Sequence, residues 1–272
     1  AIMADMEIGI STASYFPRLV TEDAMDALAM AGAKVCEVFF ASHCEYDTRF
    51  AALVKERADR GGVRVNSVHA LTNQFEPELF GRGLRSHADA VETFKKVCDA
   101  GKVLGAKYYV FHGATRLKPA VKYVFDFDFL AERVRGLCEI AEERGIELTY
   151  ENVHWAYFSE PSYFAELAPR CPRLGATLDI KQAMQSRIDY AEFLKVMGKR
   201  LKTVHLCNYT EAGKLVMPHD KAGVFDFKTL FKRLKDVGFD GACLIEVYSS
   251  CYEDTGEIGR SLEFLNEIKE SL

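Results

Sequence analysis

The chain has 272 residues, with 40 acidic against 35 basic side chains, a formal net charge of −5, and 49% hydrophobic residues. With 28% charged residues, 19 Gly and only 7 Pro, this composition excludes intrinsic disorder and collagen-like repeats. The mild acidity argues against a nucleic-acid partner, because phosphate binding shows as a basic face or stripe.

No run approaches the roughly 18 uncharged apolar residues of a membrane span, so no membrane association is expected. Asp5 and Glu7 lead straight into Ile8-Gly9-Ile10, without the charged-then-apolar order of a secretory signal. Residues 1–5 read as an added leader outside the fold. Cysteines at 36, 44, 98, 138, 171, 207, 243 and 251 form no Cys-x-x-Cys pair. They are expected to be reduced core thiols rather than a disulfide framework or a zinc site, which places the protein in the cytoplasm.

The predicted elements alternate along the chain. Strands are expected at 7–11, 35–40, 63–69, 107–112, 146–151, 174–179, 202–207 and 242–247. Amphipathic helical runs follow them at 21–31, 47–60, 85–104, 127–144, 160–168, 189–197, 226–237 and 254–270. Gly32, Gly61, Gly105, Gly145 and Gly238 fall just after helical runs, where glycine takes the left-handed conformation without a Cβ clash. Thr21, ahead of Glu22 and Asp23, reads as a helix cap.

Eight strand-then-helix units, with strands apolar enough to be covered on both faces, predict an α/β fold. The expected architecture is a (β/α)8 barrel, one domain over 1–272. A doubly wound open sheet competes, but Gly9-Ile10-Ser11 lacks the glycine-rich phosphate loop such a sheet wants after its first strand.

In such a barrel the chemistry sits at the C-terminal ends of the strands. There the sequence puts Glu37, His69, His112, Glu151, Asp179, His205 and Glu246. An ionised group buried in an apolar strand costs on the order of several kcal/mol unless it is paired or metal-bound. Such residues converging on one face therefore read as a site. Glu151, Asp179, His205 and Glu246 make one metal shell of three carboxylates and an imidazole. Oxygen-rich sites of this kind suit Mn²⁺ or Mg²⁺ and admit Zn²⁺.

The segments Tyr150-Glu151-Asn152, Thr177-Leu178-Asp179, Val204-His205-Leu206 and Ile245-Glu246-Val247 resemble, in order, the motifs of the xylose-isomerase-like TIM-barrel superfamily. The stretch 217–227, MPHDKAGVFDF, resembles that group's glycine-containing loop before the last helix. The superfamily holds sugar phosphate isomerases and epimerases, ketose 3-epimerases, inosose dehydratases and the endonuclease IV type of apurinic nuclease. The resemblance covers essentially the whole chain. It implies that Glu151, Asp179, His205 and Glu246 hold one divalent metal (Mn, Zn or Mg), and that Glu151 and Glu246 are also the catalytic acid–base pair. The implied activity is isomerisation or epimerisation of a small sugar, polyol or sugar derivative. The metal would chelate a carbonyl oxygen and an adjacent hydroxyl and stabilise the enediolate left when the α-proton departs. One carboxylate takes the proton and the other returns one from the opposite face; aldose–ketose isomerisation needs only one. Relatives are often dimers or tetramers, so the resemblance also implies a homo-oligomer.

The chain departs from the pattern in one place. Ketose epimerases and endonuclease IV carry His three residues after the Asp; here Asp179-Ile180-Lys181-Gln182 carries Gln182. A glutamine hydrogen-bonds a sugar hydroxyl but is a poor metal ligand. Asn208 also stands near where an Asp is common. The trinuclear zinc site of endonuclease IV is therefore not expected. His69 and His112 match the histidines that hold a second metal in that enzyme, which leaves a second ion at His69, His112 and Glu151 open.

Other residues have two readings each. His154 contacts substrate or caps a turn. Trp155, Tyr157 and Phe158 form an apolar wall for a sugar's C–H face or simply pack. Lys181 polarises a carbonyl, binds a phosphate, or is ion-paired or solvent-facing. His219, near a third-site ligand of endonuclease IV, is a surface loop histidine or reaches the substrate. Arg116, Lys118 and Lys122 form a basic patch for a phosphate or carboxylate, or a solvated face. Glu37 is expected behind the site, orienting a histidine or lysine. Cys207 alternates away from His205 and is not read as a ligand. Three further activities remain beside the isomerase reading: a dehydratase of the inosose type on the same site, an endonuclease IV-like phosphodiesterase, and a metabolite-binding barrel without turnover.

Overall fold

The computed structural model describes residues 5–71, 73–118 and 120–272. Most of the expected leader, residues 1–4, lies outside the described residues. Eight parallel strands close on themselves: β1 (Glu7–Ser11), β2 (Val35–Phe39), β3 (Arg64–His69), β4 (Tyr108–Phe111), β5 (Glu147–Glu151), β6 (Gly175–Asp179), β7 (Leu201–Leu206) and β10 (Ala242–Ile245). Each strand pairs with its sequence neighbour in the barrel, and β10 closes against β1. The helices are α1 (Thr21–Met30), α2 (Thr48–Gly61), α3 (Leu84–Leu104), α4 (Phe127–Glu142), α5 (Pro161–Leu167), α6 (Ile180–Gln185), α7 (Tyr190–Met197), α8 (Phe227–Asp236) and α9 (Gly256–Glu270). The expected (β/α)8 barrel is therefore the fold, and the ends of the expected strands and helices agree with the structure to within two residues.

Two elements were not expected from the sequence. Helix α6 starts directly after β6 because the Asp179 carboxylate caps it, accepting the Gln182 backbone N–H at 2.9 Å. A two-stranded hairpin, β8 (Asn208–Tyr209) with β9 (Leu215–Val216), stands on the loop after β7. Two punctuation residues are also corrected. Thr21 is the first residue of α1 rather than its cap, and its hydroxyl donates to Glu45 Oε1 at 2.6 Å. The left-handed residue ending α2 is Gly62 (φ +67°), one position beyond Gly61; Gly61 instead leaves room for the Ala29 side chain.

The core follows from strands buried on both faces. Aromatic rings fill the space between β4, β5 and the helices outside them. Phe94 lies on Tyr109 with centroids 5.0 Å apart, Phe111 meets Tyr150 edge-on at 5.1 Å, and Phe158 stacks on Phe164 at 5.2 Å. All eight cysteines are free, six of them buried. Among the described residues no helix is long and apolar enough to cross a membrane.

The wall of the barrel is tightest at β1, which pairs with β10 on one side and β2 on the other. A Cβ built on Gly9 would sit 1.9 Å from the Val35 carbonyl oxygen. That neighbour is backbone, held in a strand, so it has little room to give. Gly9→Ala is expected to lower stability by about 1–3 kcal/mol or more. Urea unfolding checks this, and an unchanged midpoint would contradict the close approach.

Candidate active site

The predicted residues meet at the C-terminal mouth of the barrel because the strands end there in register. Asp179 and His205 are paired neighbours on β6 and β7. Glu151 closes β5, His69 closes β3, and His112 and Glu246 stand one residue beyond β4 and β10.

His205 is the centre of the arrangement. Its Nδ1 lies 3.1 Å from Glu246 Oε2, 3.4 Å from Glu151 Oε1 and 3.7 Å from Asp179 Oδ2. Its other nitrogen, Nε2, faces the Glu37 carboxylate at 3.0 and 3.1 Å, and Glu37 also accepts from Ser67 Oγ at 2.8 Å. Glu37 thus fixes the ring, and the Nδ1 edge is presented to the three other carboxylates. All of these side chains are buried. Two atoms facing one another across the mouth, His205 Nδ1 and Glu246 Oε2, are buried without a hydrogen bond. Buried polar atoms are rarely left so unless something else meets them. One donor atom each from Glu151, Asp179, His205 and Glu246 lies within 4.8 Å of the others. Three carboxylate oxygens and one imidazole are a donor set for Mn²⁺, Mg²⁺ or Zn²⁺, so these residues fit a divalent ion.

The electrostatics differ around the ring of acids. Burial raises the Glu151 carboxyl, but His112 and His205 pull harder and hold it well below the usual carboxylate range. Burial lifts the Glu246 carboxyl above that range, against the opposing pull of His205 and Lys181. Burial lowers the His205 imidazole, yet Glu246, Glu37 and Glu151 outweigh it and leave its pKa well above 6.5.

His112 Nε2 is 3.0 Å from Glu151 Oε2. Its ring packs edge-on against His69, centroids 4.4 Å apart. His69 is buried among these rings, and neither of its nitrogens has a hydrogen-bond partner. Burial, then His112, push its pKa well below 6.5. Donor atoms of His69, His112 and Glu151 form a second group within 4.8 Å of one another. A cavity of about 380 Å³ opens above, lined by His69, His112, Gln182 and Glu246 and walled by Phe16, Phe39, Trp155 and Tyr248.

Gln182 and His154 form a unit. Gln182 Oε1 accepts from the His154 backbone N–H at 3.1 Å and meets His154 Nδ1 at 2.6 Å. Trp155 lies edge-on to His112 at 5.5 Å. Lys181 is buried with Nζ 3.0 Å from Asp179 Oδ2 and 3.5 Å from Glu246 Oε1. His219 stands apart from the other candidates, with Nδ1 2.6 Å from Ser261 Oγ on α9. Arg116 donates to the carbonyls of His154 and Ala156, and with Lys122 it lines a separate aromatic cleft of about 710 Å³. Phe158 is packed in the core, whereas Tyr157 lines that cleft.

Sequence reasoning missed two supports. Asn152 ties β5 to β6, accepting the Asp179 N–H at 2.8 Å and donating to the Asp179 carbonyl at 2.9 Å. Glu76, buried in the loop after β3, accepts the backbone N–H groups of His112 (2.8 Å) and Gly113 (3.0 Å) and the Tyr109 hydroxyl (2.8 Å). It fixes the end of β4 that carries His112. Its only signal was a carboxylate between the apolar residues Phe75 and Pro77.

A family model described as xylose isomerase-like TIM barrel matches residues 25–268. Among curated proteins, none matches the chain significantly. Solved structures do. A D-tagatose 3-epimerase-like protein superposes with a TM-score of 0.79 at 21% identity, over 98% of this chain and 99% of that one. An L-ribulose 3-epimerase gives 0.80 at 15% identity, over 98% and 95%. A D-allulose 3-epimerase from Methylomonas sp., in complex with D-allulose, gives 0.78 at 17% identity, over 97% of both. At these identities the likeness is one of fold. The family match spans most of the chain, and the protein belongs to the xylose isomerase-like TIM-barrel family.

Proposed function

We propose that this protein is a divalent-metal-dependent isomerase or epimerase of a small sugar, polyol or sugar derivative. The observation that carries the reading is the convergence of His205 Nδ1 and Glu246 Oε2, both without a hydrogen bond, with Glu151 and Asp179, next to a cavity of about 380 Å³ that Glu246 lines. The structural neighbours that are ketose 3-epimerases support it.

Glu151, Asp179, His205 and Glu246 are the residues that would hold the ion. A divalent ion there supplies Lewis-acid polarisation of a substrate carbonyl and its neighbouring hydroxyl. The chain's own groups do the proton work. Glu151 is kept ionised by His112 and His205 and serves as the base for the proton α to the carbonyl. Glu246, lifted by burial, carries the proton that is returned. Carboxyls whose environments push them in opposite directions divide the acid and base roles. His69, with both nitrogens unspent, and Gln182 are placed to bind substrate hydroxyls, and Phe16, Phe39 and Trp155 to pack on its C–H face. The alternative role of His69 is to hold a second ion with His112 and Glu151, whose donor atoms cluster with its own. A dehydratase would begin with the same proton abstraction.

Two outcomes are expected. With D-tagatose, D-allulose and L-ribulose as a panel in D₂O, the manganese-loaded protein should introduce deuterium next to the carbonyl. Glu151→Gln and Glu246→Gln should each slow this by about 10²–10⁴-fold. Full exchange in both variants would end the acid–base assignment. The second outcome concerns pH. The His205 imidazole holds its proton above the usual range, and the ion needs that lone pair, so binding must release a proton. Below the raised pKa, affinity therefore falls as pH falls. Titrating chelator-treated protein with Mn²⁺ should show about tenfold weaker binding at about pH 6.5 than at about pH 7.5. A flat profile would remove His205 from the ligand set.

A further inference from the structure

Lys181 takes no part in the proton transfers above, yet it touches two of the four groups assigned to the ion. It stands in the first turn of α6, two residues beyond Asp179, with its side chain 1% exposed. Its ammonium bridges Asp179 Oδ2 and Glu246 Oε1, and lies 5.1 Å from the centre of the Tyr248 ring. Tyr248 lines the cavity and Lys181 does not, so the charge sits behind the floor rather than in the substrate space.

The oxygens of the two carboxylates are divided accordingly. Asp179 Oδ1 is taken by the Gln182 N–H that starts α6. Oδ2 is shared between the ammonium and the His205 side of the mouth. Glu246 gives Oε1 to the ammonium and turns Oε2, which has no hydrogen bond, to His205 Nδ1 at 3.1 Å. Lys181 therefore leaves Glu246 Oε2 to face the centre, while on Asp179 the Gln182 N–H takes Oδ1 and the ammonium shares the inward Oδ2.

Three carboxylates meet there with His205. With all three ionised, a divalent ion cancels two of the negative charges, and the ammonium is placed to cancel the third. Resting on the metal reading above, we propose that Lys181 is the resident counter-cation of the centre. It is a positioning residue that holds Asp179 and Glu246 against their mutual repulsion before the ion arrives, and it weakens the ion's binding by like-charge repulsion. Two cations a few ångströms apart in a buried site repel by more than the energy of a tenfold change in affinity. Loss of one charge-assisted hydrogen bond to a ligand is a smaller effect. The net consequence of removing the charge is tighter metal binding.

The test is the affinity of chelator-treated protein for Mn²⁺ alone, read by calorimetry or by the electron paramagnetic resonance signal of free Mn²⁺. Lys181→Met should bind at least about tenfold more tightly than the native protein, and Lys181→Arg, which keeps the charge, should stay within about threefold of it. Mn²⁺ should also raise the Tm of Lys181→Met more than that of the native protein. Lys181→Gln, polar and uncharged, gives the same reading if the methionine variant does not fold without metal. Equal or weaker binding in the neutral variants, or an arginine variant that behaves like methionine, overturns the role of Lys181 and leaves the metal reading standing. Absence of Mn²⁺ binding in every variant, the native protein included, overturns both.

Discussion

Four carboxylates buried in one barrel mouth repel one another, and the rest of the site is an answer to that repulsion. Glu37, Glu151, Asp179 and Glu246 are all nearly removed from water. An ionised carboxylate buried alone would lose its charge rather than bear the desolvation. Here each has a cationic or hydrogen-bonding neighbour. Glu37 faces His205 and Ser67, Glu151 faces His112, and Asp179 and Glu246 share Lys181. At the centre His205 Nδ1 and Glu246 Oε2 are still left without a hydrogen bond. That point is where a cation and a polar substrate gain most.

Such a cluster needs a rigid frame, and the closed parallel barrel supplies it. The side chains come from different strands, so their spacing is set by backbone pairing rather than by loop conformation. Two buried groups lock the strand ends further. Asn152 makes a reciprocal pair with the Asp179 backbone, and Glu76 gathers two N–H groups at the end of β4. Both act on the main chain beneath a working side chain. Loops carry the cavity wall instead, where Phe16, Trp155 and Tyr248 stand, so substrate preference can vary without disturbing the centre.

This division explains what was legible in the sequence. Apolar strands each followed by an amphipathic helix announced the barrel, and a charged residue closing an apolar strand announces itself, as with Glu151, Asp179 and His205. Glu37 was legible for the same reason, and the structure gives it a histidine to face. Residues whose role is fixed by a distant partner carry no such signal. Nothing near Glu76 points to His112, which lies 36 residues on. Thr21 looked like a cap because capping chemistry is local, but its hydroxyl is spent on Glu45 across the next unit. His219 was placed near the mouth by the resemblance alone, whereas its partner Ser261 comes from the last helix. Lys181 offered several readings because a lysine's length lets it go either way; burial between two carboxylates decides among them.

The departure at Gln182 shows how one substitution reorganises its surroundings. A backbone N–H can only donate, so the Gln182 atom facing the His154 N–H must be the carbonyl oxygen. The same oxygen lies 2.6 Å from His154 Nδ1, which must then carry its proton. That leaves the amide NH₂ of Gln182 as the group for the cavity it lines. Where relatives carry an ionisable imidazole, this chain presents a neutral donor that keeps its character at any working pH. Lys181, its neighbour in the chain, keeps a fixed positive charge behind the floor. With the histidine replaced by an amide and a lysine placed beside it, this side of the mouth presents a neutral donor to the cavity and, behind the floor, a cation whose pKa burial lowers but Asp179 and Glu246 raise by more.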